Sequence, residues 1–251
     1  MSRPPRIVWG MVAYGPFPYA PVYTSHMLAI AYASRYYATS FLDGSAGILS
    51  AYSTDRTYTH SAENLLARRF LDETDGTHLF LTEMDMRIPL DTITKLERLD
   101  KPIASGLYFL RGGTGQACLY VPSPVTPALN RFPHTPVTMF PLDRPFKLAK
   151  AGGCCGFGCV LIKREVFEAI PYPWFDLKEK NPDTLEGYGS DMYFYTKVKD
   201  AGFEVWIEPT VRCGHMDYTE ASIDDYIKRL QHPDESLNRG FIIGAPEDTK
   251  V

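Results

Sequence analysis

Short apolar runs alternate with longer amphipathic stretches through the first half of the chain. For example, RIVWGMVAYG (residues 6–15) has the composition of a buried strand, and VYTSHMLAIAYASRYY (22–37) has that of a helix. This alternation predicts an α/β fold, with a mostly parallel, twisted sheet flanked by helices. In such sheets ligands bind beyond the carboxyl ends of the strands. A functional site is therefore expected among the residues that follow each strand.

The clearest helix is predicted at SAENLLARRFLDET (61–74). Ser61 is expected to cap its N-terminus. The apolar residues are spaced to form one stripe along the helix, which predicts a face packed against the sheet. The residues of this stripe are Leu65, Leu66, Phe70 and Leu71.

Other segments complete the expected order of elements, and no repeat or linker divides the chain into domains. Residues 111–150, rich in Pro, Gly and Thr, predict either an irregular excursion or a pair of antiparallel strands. Strands are expected at residues 38–44, 78–81, 101–110 and 203–215, and helices at 89–100, 189–202 and 222–230.

Acidic residues follow two of the predicted strands. Glu83 and Asp85 follow the apolar run at 78–81, and Asp43 ends the segment at 38–44. On a continuing strand Glu83 and Asp85 would point to opposite faces, but where the chain turns both can approach one ligand. Carboxylate oxygens suit Mg²⁺ or Mn²⁺, which can neutralise a diphosphate. The alternative is a solvated acidic turn before the next helix.

The stretch LFLTEMDM (79–86) resembles the metal-binding acid-x-acid motif of GT-A-fold glycosyltransferases, particularly those like family 2. Further segments resemble that family in the expected order, from residue 6 to residue 215. The resemblance implies one GT-A-like domain over 1–251, with a nucleotide-sugar-binding half (1–110), an acceptor and catalytic half with a small antiparallel portion (111–217), and a tail (218–251). The other similar segments are IVWGMVAYGP (7–16), HSAENLLARRFL (60–71), GGCCGFGCVLIKREVFEAIPYPWF (152–175) and EGYGSDMYFYTKVKDAGFEVWIEPTVRCGH (186–215).

The resemblance implies roles for individual residues. Asp85 would ligate a divalent cation, Mn²⁺ or Mg²⁺, bound to the donor diphosphate. Glu83 would contact the ribose or reach the cation through water, and His215 would complete the metal site. Asp191 would be the catalytic base, with Glu186 as a substitute. The expected donor-side residues are Ala13, Tyr14 and Gly15 at the base, Asn64 at the ribose or diphosphate, Gly156 beside the sugar and acceptor, and Asp43 and Met84.

Three positions depart from the pattern of that family. Glu83 replaces the usual first Asp of the metal motif, which lengthens the ligand arm. Glu63 stands where Arg is common, so the diphosphate contact of that Arg is missing. Ser190 precedes Asp191 where Glu is common.

The function expected from these residues is metal-dependent transfer of a sugar from a nucleotide-sugar, with a UDP-sugar as the expected donor and inversion favoured over retention. A bound cation would stabilise the leaving diphosphate, and a nearby acid would take the proton of the attacking hydroxyl. The acceptor is open: a saccharide, a protein, a small molecule or a modified nucleic-acid base. The alternatives are a non-catalytic nucleotide-sugar-binding module and a nucleotidyltransferase that uses the same acids.

Asp191 and His215 each allow an alternative assignment. Asp191 could simply be the N-cap of its helix. The cysteines could form a zinc site with His215, but they lack the usual two-residue spacing, and small buried thiols explain them better. The cysteines concerned are Cys154, Cys155, Cys159 and Cys213.

Composition limits the expected partners and location. The formal charge of −4 and the isoelectric point near 5.9 argue against a broad basic face for nucleic acid. No apolar run reaches the roughly 18 residues of a transmembrane helix, and the N-terminus lacks a signal-peptide pattern. Five cysteines without framework spacing are typical of a reducing cytoplasm. The only modest basic cluster of the second half comprises Lys147, Lys150, Lys163 and Arg164.

Overall fold

The computed structural model shows a seven-stranded sheet, two smaller sheets and flanking helices. It describes residues 5–13, 20–37, 47–54, 57–122, 134–148, 152–178, 188–217, 220–231 and 241–242.

The described strands are, in chain order, β1 (Arg6–Val12), β2 (Gly47–Ser53), β3 (His78–Glu83), β4 (Met86–Arg87), β5 (Ile103–Leu107), β6 (Leu119–Pro122), β7 (His134–Met139), β8 (Phe146–Lys147), β9 (Cys154–Cys155), β10 (Cys159–Lys163), β11 (Val205–Arg212), β12 (Gly214–Met216), β13 (Glu220–Ala221) and β14 (Phe241–Ile242). The described helices are α1 (Ala20–Tyr36), α2 (Thr59–Glu73), α3 (Thr92–Arg98), α4 (Arg164–Ala169), α5 (Ser190–Asp200) and α6 (Ile223–Gln231).

The main sheet has the strand order β2-β1-β3-β10-β5-β11-β8. β1 pairs in parallel with β2 and with β3, and β5 pairs in parallel with β11. β10 runs antiparallel between β3 and β5, and β8 runs antiparallel on the edge. Five strands (β1, β2, β3, β5 and β11) therefore point the same way. The predicted α/β class is confirmed, since the main sheet is mostly parallel and flanked by helices in a Rossmann-like arrangement.

Alternate residues of the central strands face two separate cores, as strand geometry requires. Leu79 and Leu81 of β3 join the cluster that contains Leu66 and Phe70 of α2. Phe80, between them, joins Trp9 and the residues of α1 and α3 on the other face. Both faces of the sheet are covered, which explains why the strands are almost continuously apolar.

Helix α2 begins at Thr59, two residues before the predicted start. The expected cap by Ser61 is wrong: Tyr58, in extended conformation, is the N-cap residue, and it makes no side-chain capping bond with the described residues. The predicted stripe is correct for Leu66 and Phe70, which are fully buried, but Leu65 is 41% exposed.

The second strand of the sheet is β2 (Gly47–Ser53), which pairs with β1 from Arg6↔Gly47 onward. The strand expected at residues 38–44 lies outside the described residues. For residues 111–150, the antiparallel alternative is confirmed, because β6 pairs with β7 and with β9 in antiparallel register. None of the helices in the described parts of the chain is long and apolar enough to cross a membrane.

Candidate functional site

The carboxyl end of β3 is held between two other segments. Glu83 is the last residue of β3 and lies opposite Val12 of β1. The amide of Met84 donates a hydrogen bond to the carbonyl of Val12 over 3.0 Å, and the amide of Met216 donates to the carbonyl of Asp85 over 2.8 Å. The chain then reverses into β4, which pairs antiparallel with β12.

This β4–β12 pairing brings His215 beside the acids. His215 lies opposite Met86, the residue that follows Asp85. One ligand atom from each of Glu83, Asp85 and His215 lies within 4.8 Å of the others. His215 Nε2 is 3.4 Å from Asp85 Oδ2. The three residues predicted to bind a cation therefore converge in the structure and form a group that could hold a metal ion.

The ligand atoms of Glu83, Asp85 and His215 suit a divalent cation. Nδ1 of His215 contacts the carbonyl of Phe109 over 2.9 Å, and since a carbonyl only accepts, Nδ1 must carry the proton. Nε2 is then the ring nitrogen with a lone pair for a metal, the usual arrangement of a ligating histidine. Within the described parts of the chain, Nε2 and Asp85 Oδ1 are buried without a hydrogen-bond partner. The two carboxylates suit Mn²⁺ or Mg²⁺, and the imidazole, a ligand more typical of transition metals, favours Mn²⁺ of the two.

Electrostatics in this group favour positive charge. Burial lowers the pKa of His215, but contact with Asp85, the carbonyl of Phe109 and the nearby charge of Glu83 outweigh burial, so the pKa is raised. Arg111 is half exposed, and its Nη1 atom lies 3.5 Å from Oδ2 of Asp85. Arg111 was not predicted for the site, because it lies in an irregular segment after β5 that no local pattern marks.

A cavity of about 300 Å³ opens beside this group. Glu83 and His215 line it together with Asp191 and Gly156, two further residues predicted for the site. The cavity therefore joins the possible metal group to the predicted base and to Gly156.

Gly156 contributes to this cavity by having no side chain. A Cβ at this position would lie 2.0 Å from the hydroxyl oxygen of Tyr108. That hydroxyl accepts a hydrogen bond from the amide of Gly158 over 3.1 Å, and Tyr108 is buried, so the ring has little freedom to move. Only glycine fits at position 156 in this arrangement.

Asp191 lies in the first turn of α5 and is half-buried. The proposed N-cap role is wrong, because Gly189 is the N-cap residue. Oδ1 of Asp191 instead accepts a hydrogen bond from the amide of Met192 over 2.7 Å. Burial raises the pKa of Asp191, and backbone hydrogen bonds oppose the shift. A carboxylate with a raised pKa is better suited to accept a proton than an ordinary one.

Glu63 is a further acid of the cavity wall. From the sequence it was identified only as a departure from the pattern of the family that the sequence resembles. It is 1% exposed although it lies on a helix with a solvent-facing side. A signal was available: positions 63, 66, 67 and 70 form one buried stripe of α2 at helical spacing, so that this acid falls on the apolar face.

Two of the predicted donor-side residues are already engaged with neighbouring groups. Asn64 donates from Nδ2 to the carbonyls of His60 (2.8 Å) and Phe175 (2.6 Å), and its Oδ1 accepts from the amide of Trp174 over 3.1 Å. The amide of Ala13 donates to the hydroxyl of Thr54 over 3.2 Å. Their contacts with a nucleotide stay predictions.

Four predicted site residues lie outside the described residues: Tyr14, Gly15, Asp43 and Glu186.

The cysteines and the basic cluster do not form sites in the described structure. All five cysteines are free and buried, and the described side chains that converge as possible metal ligands are those of Glu83, Asp85 and His215. Lys147 is paired with Glu204, and Lys163 with Asp100. The guanidinium of Arg164 donates to backbone carbonyls at and beyond the end of α2. Lys150 lies outside the described residues.

Comparison with known proteins shows likeness at the level of the fold. No protein-family model matches the sequence, and no curated protein matches it. The crystal structure of A197 from STIV is similar with a TM-score of 0.53 and 16% identity, over 88% of this chain and 91% of A197.

Two enzyme structures show weaker likeness. GalNAc-T7 with UDP, GalNAc and Mn²⁺ has a TM-score of 0.47 and 11% identity, over 92% of this chain and 49% of that chain. The inositol-1-phosphate CTP transferase from T. maritima has a TM-score of 0.38 and 10% identity, over 93% and 97%. At these values neither structure carries an argument about function.

Proposed function

We propose that this protein is a metal-dependent glycosyltransferase that moves a sugar from a UDP-sugar to an acceptor hydroxyl. The observation that carries the proposal is the convergence of Glu83, Asp85 and His215, two of which, Glu83 and His215, line the cavity that Asp191 also lines. Such a site can bind a charged leaving group on one side and a reacting hydroxyl on the other.

Glu83, Asp85 and His215 would hold the cation, for which Mn²⁺ and Mg²⁺ are the candidates. When bound, the cation supplies positive charge to the diphosphate of the donor. Arg111 would add a second positive charge beside Asp85. It would thereby compensate for the Arg that Glu63 replaces, since charge-assisted bonds from a guanidinium suit phosphate oxygens.

Asp191 would be the general base. Its carboxylate would accept the proton of the acceptor hydroxyl as that oxygen attacks the anomeric carbon, which corresponds to an inverting reaction. The hydrogen bond from Met192 fixes one carboxylate oxygen, so that the other can face the acceptor. Glu186 is the substitute candidate if Asp191 acts only in binding.

The donor would extend from the cavity along the carboxyl ends of β1 and β3. A volume of about 300 Å³ is at the lower limit for a ligand pocket. This volume suits the sugar alone, and Gly156 would lie beside the sugar and the acceptor. The nucleotide base would then lie toward Ala13, Tyr14 and Gly15. Asn64, Met84 and Asp43 complete the proposed donor side.

The contacts of the basic side chains in the second half of the chain limit the class of acceptor. Because Lys147 and Lys163 are paired with acids and Arg164 is bound to backbone carbonyls, this group offers little attraction for a nucleic-acid backbone. A saccharide, a protein or a small molecule is therefore favoured over a modified nucleic-acid base. A cytoplasmic location is proposed from the unpaired cysteines.

The test is product analysis with a panel of UDP-sugars and Mn²⁺, read by mass spectrometry. Release of UDP supports glycosyl transfer or donor hydrolysis. A parallel assay with UTP and a sugar 1-phosphate tests the alternative, since release of pyrophosphate there would support nucleotidyl transfer instead. Asp191→Asn is expected to lower UDP release by about 100-fold or more, while affinity for UDP stays within about two-fold. Asp200→Asn, an exposed residue at the other end of α5, is the matched control. Binding of UDP-sugars without turnover would indicate a non-catalytic module.

A further inference from the structure

Glu63 occupies an unusual position for a carboxyl. It lies on the buried stripe of α2 with Leu66 and Phe70, yet its side chain reaches the wall of the site cavity. Its Oε2 atom is buried and has no hydrogen-bond partner within the described structure. Buried polar atoms without partners are rare because their desolvation is not repaid. An unpartnered oxygen on a cavity wall is explained if a ligand supplies the partner.

The surroundings of Glu63 favour its neutral form. Burial raises its pKa well above the ordinary range, and the negative charges of Glu83 and Asp191 raise it further, while a hydrogen bond with Ser190 opposes the shift. A protonated carboxyl has one donor and retains acceptor capacity. It can therefore bind a hydroxyl or an amide, groups that both donate and accept.

Its position indicates which part of the ligand it would meet. Glu83 belongs to the possible metal group, where the diphosphate would bind, and Asp191 is the proposed base, where the acceptor would bind. Glu63 lines the same cavity and lies within electrostatic range of both. The group transferred between diphosphate and acceptor is the sugar.

We propose that Glu63 binds a hydroxyl or amide group of the transferred sugar through Oε2, and that the cavity accepts uncharged sugars and rejects those with a carboxylate. This inference rests on the function proposed above. The described residues that line the cavity include the acids Glu83 and Asp191 beside the neutral carboxyl of Glu63, and no lysine or arginine. A sugar carboxylate bound at Glu63 would face the negative charge of Asp191 with no lysine or arginine of the described lining to pair with it, while His215 and the cation would be engaged with the diphosphate. This is a repulsive element of specificity.

The first measurement compares ligands on the wild-type protein by calorimetry in the presence of Mn²⁺. The ligands are UDP, UDP-glucose, UDP-galactose, UDP-N-acetylglucosamine and UDP-glucuronate. At least one uncharged donor is expected to bind about 10-fold or more tightly than UDP-glucuronate. If UDP-glucuronate binds as tightly as every uncharged donor while UDP binds, the selectivity is overturned and the proposed function stands. If neither UDP nor any donor binds, both proposals fail.

The second measurement identifies the residue. Glu63→Met keeps the volume and removes the hydrogen bonds, and Glu63→Gln keeps both a donor and an acceptor. Glu63→Met is expected to weaken the preferred uncharged donor by about 10-fold and UDP by less than two-fold. Glu63→Gln is expected to retain affinity within about three-fold. Glu73→Met, exposed on the same helix, is the control. The assignment is overturned if Glu63→Met loses affinity equally for UDP and for the donor, or loses affinity for neither.

Discussion

The substitution Glu63→Gln replaces the buried carboxyl of α2 with an amide of nearly the same shape. The two side chains differ in one respect that matters for stability: only the carboxyl titrates. In the unfolded chain Glu63 loses its proton around its ordinary pKa of 4.5, whereas burial in the folded protein raises its pKa well above that value. The wild-type protein should therefore be less stable at neutral pH than the variant.

The sign and size follow from proton linkage. Between pH 4.5 and the raised pKa, the folded protein keeps a proton that the unfolded chain has released, so the free energy of unfolding falls as pH rises. The slope for one such group is about 1.4 kcal/mol per pH unit. If the carboxyl stays protonated to neutral pH, the accumulated difference is at most about 3.5 kcal/mol at pH 7.

Urea unfolding of wild type and Glu63→Gln at several pH values between about 4.5 and 7.5 measures this difference. The stability advantage of Glu63→Gln is expected to grow with pH, and each kcal/mol corresponds to a shift in Tm of roughly 2–4 °C for a chain of this length. The exposed control Glu73→Gln should show no comparable pH-dependent gain. A difference between wild type and Glu63→Gln that is the same at every pH would refute the argument, since it would mean that Glu63 titrates alike in both states.

Two further predictions concern the stability of the fold at Gly156 and at the buried residue His26. Gly156→Ala should lower stability by about 1–3 kcal/mol in thermal or urea unfolding, because the new methyl group meets the Tyr108 hydroxyl at 2.0 Å. The loss should be smaller in a Tyr108→Phe background, and an equal loss there would contradict the proposed clash. Burial lowers the pKa of His26 to about 4, with its bond to the Met86 carbonyl opposing the shift. Stability should therefore fall as pH drops from 6.5 toward 4, by at most about 3.5 kcal/mol from this residue. Urea unfolding of His26→Gln over this range should show a shallower pH dependence, and an unchanged one would contradict the assignment.

The strands of the buried sheet were predictable where the local pattern was strong. The apolar run before Glu83 predicted β3, because the middle of a strand covered on both faces is apolar. The strand continues two residues beyond the predicted end, through Thr82 and Glu83. The edge strand β2 was missed, since its GILSAYS sequence mixes small and polar residues and only Gly47 is buried. The expected Ser61 cap failed because Tyr58 is the last extended residue and the backbone is already helical from Thr59.

The candidate site was predictable in its acids but not in its assembly. Glu83 and Asp85 follow from a local pattern, and His215 followed from resemblance alone. What joins them is the pairing of β4 with β12, a contact between segments far apart in the sequence that no local periodicity encodes. Arg111 could not be foreseen for the same reason. Glu63 could have been found, because an acid at helical spacing from Leu66 and Phe70 marks a buried carboxyl.

The central claim is that Glu83, Asp85 and His215 bind one divalent cation on which UDP depends. The direct measurement is calorimetric titration of Mn²⁺ into the protein with and without UDP, for wild type, Asp85→Asn and the exposed control Asp143→Asn. Wild type and Asp143→Asn should bind one Mn²⁺ per chain and bind UDP more tightly when Mn²⁺ is present. Asp85→Asn should weaken Mn²⁺ binding by at least about 10-fold and abolish its effect on UDP. Equal Mn²⁺ binding by Asp85→Asn and wild type, or UDP binding that is indifferent to Mn²⁺, would contradict the claim.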